Sequence, residues 1–154
     1  MPRTPNYEFA EHRDSKARLR SAIELIKLLL QPNPEILAEH RQEFLSVALW
    51  KITEAESKNK HRTRFCSQSV FAAPDCDCRH DHVFQRALMV QKLLNSRPED
   101  VETVLEKAVA CTITKDEHRL LNAYAHLDGW ERYRDAGIVV VDSKTGMEFK
   151  FPPS

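Results

Sequence analysis

The stretch "ACTITKDEHRLLN", Ala110 to Asn122, decides how the chain is read. Its first five residues are short, β-branched and uncharged, the composition of a buried strand. Thr114 and Glu117 then stand three apart, the spacing of a capping box, so a helix should begin at once. On that helix His118 and Asn122 lie four residues apart and share a face, and Leu120, Leu121 and Tyr124 should turn inward. A strand running straight into a helix, amid otherwise helical periodicity, predicts an α+β fold. It should be mostly helical, with a small antiparallel β element toward the C-terminus.

Upstream, Ser15 to Gln31 carries Leu19, Ile23, Ile26 and Leu30 on one helical face. "QPNP" stops that helix, and Asn33 with Pro34 offers a cap and first turn for a second one reaching about Ser57. Phe44, Ala48, Ile52 and Ala55 continue its stripe. A loop or short strand, "CSQSVFAAP", follows. Val83 to Asn95 reads as a helix with Phe84, Leu88, Gln91 and Leu94 in register, and Ser96 with Glu99 suggests another capping box. Asp128 would cap a short helix bearing Trp130 and Tyr133, both expected as packing aromatics, with Gly137 ending it. "GIVVVD" and "MEFKF", joined through "SKTG", read as a terminal β-hairpin. The 154 residues fit one domain: a loose leader (1–14), N-terminal helices (15–64), a central region (65–126), and a short helix with hairpin (127–154).

Composition narrows the function classes. Apolar content of 42% suits a folded chain, and 23 basic residues balance 23 acidic ones, so net charge points to no partner. The longest apolar run, "AIELIKLLL", is too short to span a bilayer, and no membrane association is expected. "MPRTPNYEFAEHRDSK" has no apolar signal core, so a cytoplasmic location is expected. There the cysteines would be thiols or metal ligands rather than a disulfide framework.

Chemistry concentrates in "DCDCRHDHV", Asp75 to Val83. One reading makes Cys76 and Cys78 zinc ligands, completed by His80 or His82 and a distant Cys111 or His118. Another takes Asp81 as ligand to a hard divalent cation and His82 as a proton acceptor. In an extended strand His80 and His82 share a face and Asp81 takes the other, so convergence of all three requires a bend. A third reading is a crowded polar loop. Lys58, Lys60, Arg62 and Arg64, with His61, form a basic run that would contact phosphates or simply end a helix in solvent.

"HDHV" and "CTITKDEHRLLN" together resemble the HNH, or ββα-metal, endonucleases over about residues 76–124. The resemblance implies hydrolysis of nucleic-acid phosphodiesters with one divalent ion, magnesium, manganese or zinc. It would make His82 the general base, Asp81 a metal ligand with His80 as substitute, His118 the helix ligand and Asn122 a second one. The interval between the two motifs departs from that family: two helical segments fill it, and Asn95 is its only asparagine. The alternative expectation is a non-enzymatic helical interaction module, binding a protein or nucleic-acid partner, with structural zinc or no metal.

Overall fold

The computed structural model describes residues 6–153. It is an α+β fold, mostly helical, as the sequence predicts. Two helices, α1 (Ser15–Leu30) and α2 (Ala38–Glu54), pack as a hairpin. Next come β1 (Phe65–Ser67), α3 (Gln68–Ala72), β2 (Cys78–His82) and α4 (Arg86–Leu94). A 3₁₀ turn (Pro98–Asp100) leads into α5 (Val101–Leu105), β3 (Ala110–Thr114) and α6 (Lys115–Asn122). The chain closes with α7 (Trp130–Asp135), β4 (Val140–Asp142) and β5 (Met147–Glu148).

The β element is larger than the expected hairpin. It is one mixed five-stranded sheet in the order β2-β3-β1-β4-β5. The hairpin β4–β5 is present, but its neighbour is β1, which also pairs in parallel with β3. "CSQSVFAAP", read as a loop or short strand, holds the end of β1 and then α3; a three-residue strand is too short to show an alternating pattern, so its central position is not legible. α3 and Tyr7, with the C-terminal end of α2 over β2, cover one side of the sheet; α6 and α7 cover the other. On that second side Cys111, Ile113, Val140, Leu121, Trp130 and Tyr133 form one core. A separate core joins Ile26 of α1, Leu45 and Leu49 of α2, and Leu93 of α4.

The capping box at the head of α6 forms as expected. Glu117 N–H donates to Thr114 Oγ1 (3.0 Å), and Thr114 N–H donates to the Glu117 carboxylate (2.9 Å). Elsewhere local signals yield to tertiary ones. Asn33 accepts from Glu35 N–H in a turn, and α2 starts later, at Ala38. Ser96 bonds back to the Lys92 carbonyl rather than capping a helix. In α4 the buried residues are Met89, Val90 and Leu93, while Leu88 is exposed. Leu19, Phe44 and Leu120 likewise face outward. Asp128 caps no helix of its own and accepts from Gln85 N–H at the start of α4 (2.8 Å). Gly129 precedes α7 at φ 68°, with the Phe84 ring against the space a Cβ would fill, so only glycine suits it.

The described part of the leader is docked rather than loose. Tyr7 is buried, its hydroxyl donating to the Thr63 carbonyl (2.5 Å), and Glu11 makes a β-bridge to Ser57. Residues 1–5 lie outside the described residues.

Candidate functional site

β2 is the strand on which the candidate residues meet, and its pleat separates them. It pairs antiparallel with β3 so that His80 faces Thr112, Asp81 faces Cys111 and His82 faces Ala110. Alternation then sends His80 and His82 toward α2 and Asp81 toward α6 and α7. No bend interrupts the strand to bring the three together.

On the α2 side both imidazoles converge on one hydroxyl. Thr53 Oγ1 lies 2.9 Å from His82 Nε2 and 3.1 Å from His80 Nε2. His80 Nδ1 sits 2.7 Å from the Lys60 carbonyl, which only accepts, so Nδ1 carries the proton in neutral His80. His80 Nε2 therefore competes with the Trp50 carbonyl (3.2 Å) for the one Thr53 O–H proton and, taking it, accepts from Thr53, while His82 Nε2–H donates to Thr53 Oγ1. This assignment leaves neither Nε2 unpaired. Trp50 stacks on His80 (centroids 4.7 Å, 29°) and meets His82 edge-on (4.4 Å, 89°), and Arg86 lies 4.9 Å over the Trp50 ring. Burial lowers the pKa of both histidines, and for His82, where His80 and Arg86 add repulsion, it falls to about 3. His82 is thus neutral at pH 7, with Nε2 engaged. A group that holds a proton only near pH 3 is a weak general base.

On the opposite side lies a buried ion pair. The Asp81 carboxylate accepts from Arg132 (3.1 Å) and from the Tyr133 hydroxyl (2.5 Å), and the same Arg132 nitrogen donates to the His82 and Val83 carbonyls. Burial raises the Asp81 pKa, opposed by Arg132, Tyr133 and the charge His118 would carry. Burial also raises the Tyr133 and Cys111 groups beside it. Arg132 Nε is buried and unpartnered among the described residues. His118 is half-buried on α6, whose Leu121 packs against Cys111 and Ile113. It therefore shares the sheet face of Asp81. Asn122, the last residue of α6, is exposed.

The sheet thus brings His118 to the side of Asp81 and leaves His80 and His82 on the other. Cys76 and Cys78 do come together, with sulfurs 3.1 Å apart. Among the described residues, no three His, Cys, Asp or Glu side chains are arranged to hold a metal ion. Neither the divalent-cation set nor the zinc set assembles: Asp81 is occupied by Arg132 and Tyr133, and the two thiols lack further ligands.

The basic run is also partly spent. Arg64 pairs with Asp142 through two hydrogen bonds (3.0 and 2.7 Å). Arg62 donates to the His61 and Pro74 carbonyls and lies over the Tyr7 ring. Lys58 and Lys60 remain exposed. Sequence reasoning missed Arg132 and Thr53. An arginine between Trp130 and Tyr133 in a short amphipathic segment was the available signal for the first; Thr53 looks like any helix threonine.

No helix among the described residues is long and apolar enough to cross a membrane. Comparison with protein-family models, curated proteins and solved structures finds no match for this chain.

Proposed function

We propose that this protein is a non-enzymatic helical interaction module that receives a polypeptide partner on the outer face of its α1–α2 hairpin. One observation carries this reading. Seven of the twelve large exposed hydrophobics among the described residues (Leu19, Leu25, Leu28, Ile36, Leu37, Phe44 and Val47) belong to that hairpin or its connection. Leu25 and Leu28 are three apart on α1, as are Phe44 and Val47 on α2, so each helix offers a row. Leu25 and Lys51, one turn beyond Val47, line the same groove between the helices. At the other end Arg41 donates to the Leu29 and Gln31 carbonyls, which holds the start of α2 beside the end of α1. Exposed apolar residues concentrated on one helical hairpin, rather than scattered, favour association with another apolar surface. The inner faces of the same helices already fill a core, which leaves the outer rows open to a partner.

The test is retention of a polypeptide partner, another chain or a second copy, under high salt. Leu28→Glu with Phe44→Glu should weaken retention by about tenfold or more, with unchanged circular dichroism. Equal retention by wild type and variant would overturn the proposal.

A second reading is favoured by strand pairing: β2 pairs antiparallel with β3, which runs directly into α6, with Asp81 and His118 on one side. It is a nuclease of the HNH type without His82 as base. Divalent-cation-dependent nicking of DNA or RNA that is lost in His118→Ala and kept in His82→Ala would support it. The absence of cleavage in magnesium, manganese and zinc would remove it.

A further inference from the structure

Neither reading uses the pair of thiols between α3 and β2. Cys76 and Cys78 flank Asp77, both half-buried, with their sulfurs in contact at 3.1 Å. Cys78 Sγ also lies 3.2 Å from the Cys76 carbonyl, which folds the two side chains onto one side of the turn. Three bonds hold that turn. Cys76 N–H donates to the Ala73 carbonyl (3.2 Å), Arg62 to the Pro74 carbonyl (2.6 Å) and Lys115 N–H to the Asp77 carbonyl (3.0 Å). Cys78 is further fixed as the register partner of Thr114. The thiols are therefore held close by backbone structure, not by chance rotamers. A disulfide needs sulfurs at about 2.05 Å and α-carbons within roughly 7 Å, a span that a single intervening residue meets. Closure asks for about 1 Å of approach.

We propose that Cys76 and Cys78 form a reversible intramolecular disulfide on exchange with a small organic disulfide such as oxidised glutathione. One protein thiol loses its proton to solvent, and its thiolate attacks the oxidant. A protein–glutathione mixed disulfide forms, and one glutathione thiolate leaves. The second protein thiolate then attacks the protein sulfur of that mixed disulfide, the Cys76–Cys78 bond forms and the second glutathione leaves. The dithiol gives two electrons and two protons, and one glutathione disulfide becomes two glutathiones. Burial and the adjacent Cys78 raise the Cys76 thiol to about 11, so exchange is slow at neutral pH and quickens as pH rises. The remaining cysteines, Cys66 and Cys111, are buried and do not compete. Because Asp77 holds the first amide of α6, closing the bond acts on the head of that helix.

The experiment equilibrates the intact protein in glutathione buffers of graded ratio, followed by alkylation of free thiols and peptide mapping. The expected result is an internal 76–78 disulfide that forms and reopens with the ratio. In Cys78→Ser, the mixed disulfide at Cys76 should accumulate to about tenfold above wild type, because the resolving thiol is gone. Amide exchange at Lys115 should differ between oxidised and reduced wild type. Stable glutathione adducts in wild type, disulfides only between molecules, or no oxidation across the series would each overturn the proposal. An Lys115 exchange rate independent of redox state would overturn the link to α6.

Discussion

The two faces of β2 solve the same problem in opposite ways. Toward α2, two histidines are kept neutral, joined through one threonine hydroxyl and anchored on a backbone carbonyl. Toward α7, one carboxylate is kept beside a guanidinium and a phenol, in a buried cluster. Adjacent residues of a single strand thus bury polar groups once by discharging them and once by pairing them. The difference teaches that density of titratable side chains in a sequence says little about convergence, because a pleat divides neighbours.

The largest effect should come from breaking the charged face. Arg132→Met leaves Asp81 buried without its cation and should cost about 3–5 kcal/mol in urea unfolding. Adding Asp81→Leu should recover much of that, since an apolar pair needs no solvation. Failure of the second change to rescue the first would show that Arg132 acts mainly through the His82 and Val83 carbonyls.

Acid should sharpen the contrast. His82 titrates near 3 when folded and near 6.5 when unfolded, so proton uptake favours the unfolded chain. Its contribution is fully present above about pH 6.5 and drains as pH falls toward 3, at up to roughly 1.4 kcal/mol per pH unit. His80, also lowered by burial, acts in the same direction. Asp81 runs the other way: its folded pKa is raised, so its destabilising effect fades as pH falls toward the unfolded carboxylate range. Unfolding free energies between pH 7 and pH 4, in a range set by about those reference values, should therefore fall with acid. His82→Leu should flatten the slope and Asp81→Asn steepen it; a slope indifferent to His82 contradicts the assignment.

Thr53→Val keeps the shape but strands both imidazole nitrogens, at about 2 kcal/mol. In that variant His80 should keep its Nδ1–H form, which the Lys60 carbonyl fixes, while the ring nitrogen shifts of His82 change. Smallest is Arg86→Met, which removes the cation over Trp50 and should cost about 0.5–1 kcal/mol.

Much of the secondary structure was legible because its causes are local. The Thr114–Glu117 box, the glycine stop at Gly137 (φ 72°) and the β4–β5 hairpin all depend on residues a few positions apart. Face assignments were less secure, since Leu88, Phe44 and Leu120 fit a stripe by spacing yet sit outside it. At the candidate site, alternation correctly separated His80 and His82 from Asp81. Their partners were invisible: Thr53 lies 29 residues before His82 and Arg132 lies 51 after Asp81. Nothing in local spacing encodes contacts of that range.

The placement of β1 has a consequence for synthesis on the ribosome. Its two sheet neighbours, β3 and β4, are both encoded downstream, the second ending at Asp142. The emerging chain can close its helical hairpin early, but β1 has no strand to pair with until β3 has emerged and keeps one open edge until Asp142 has. The sheet thus assembles in two stages, β2-β3-β1 first and the β4–β5 hairpin after it, so the nascent protein passes through a stage in which the inner edge of β1 is open.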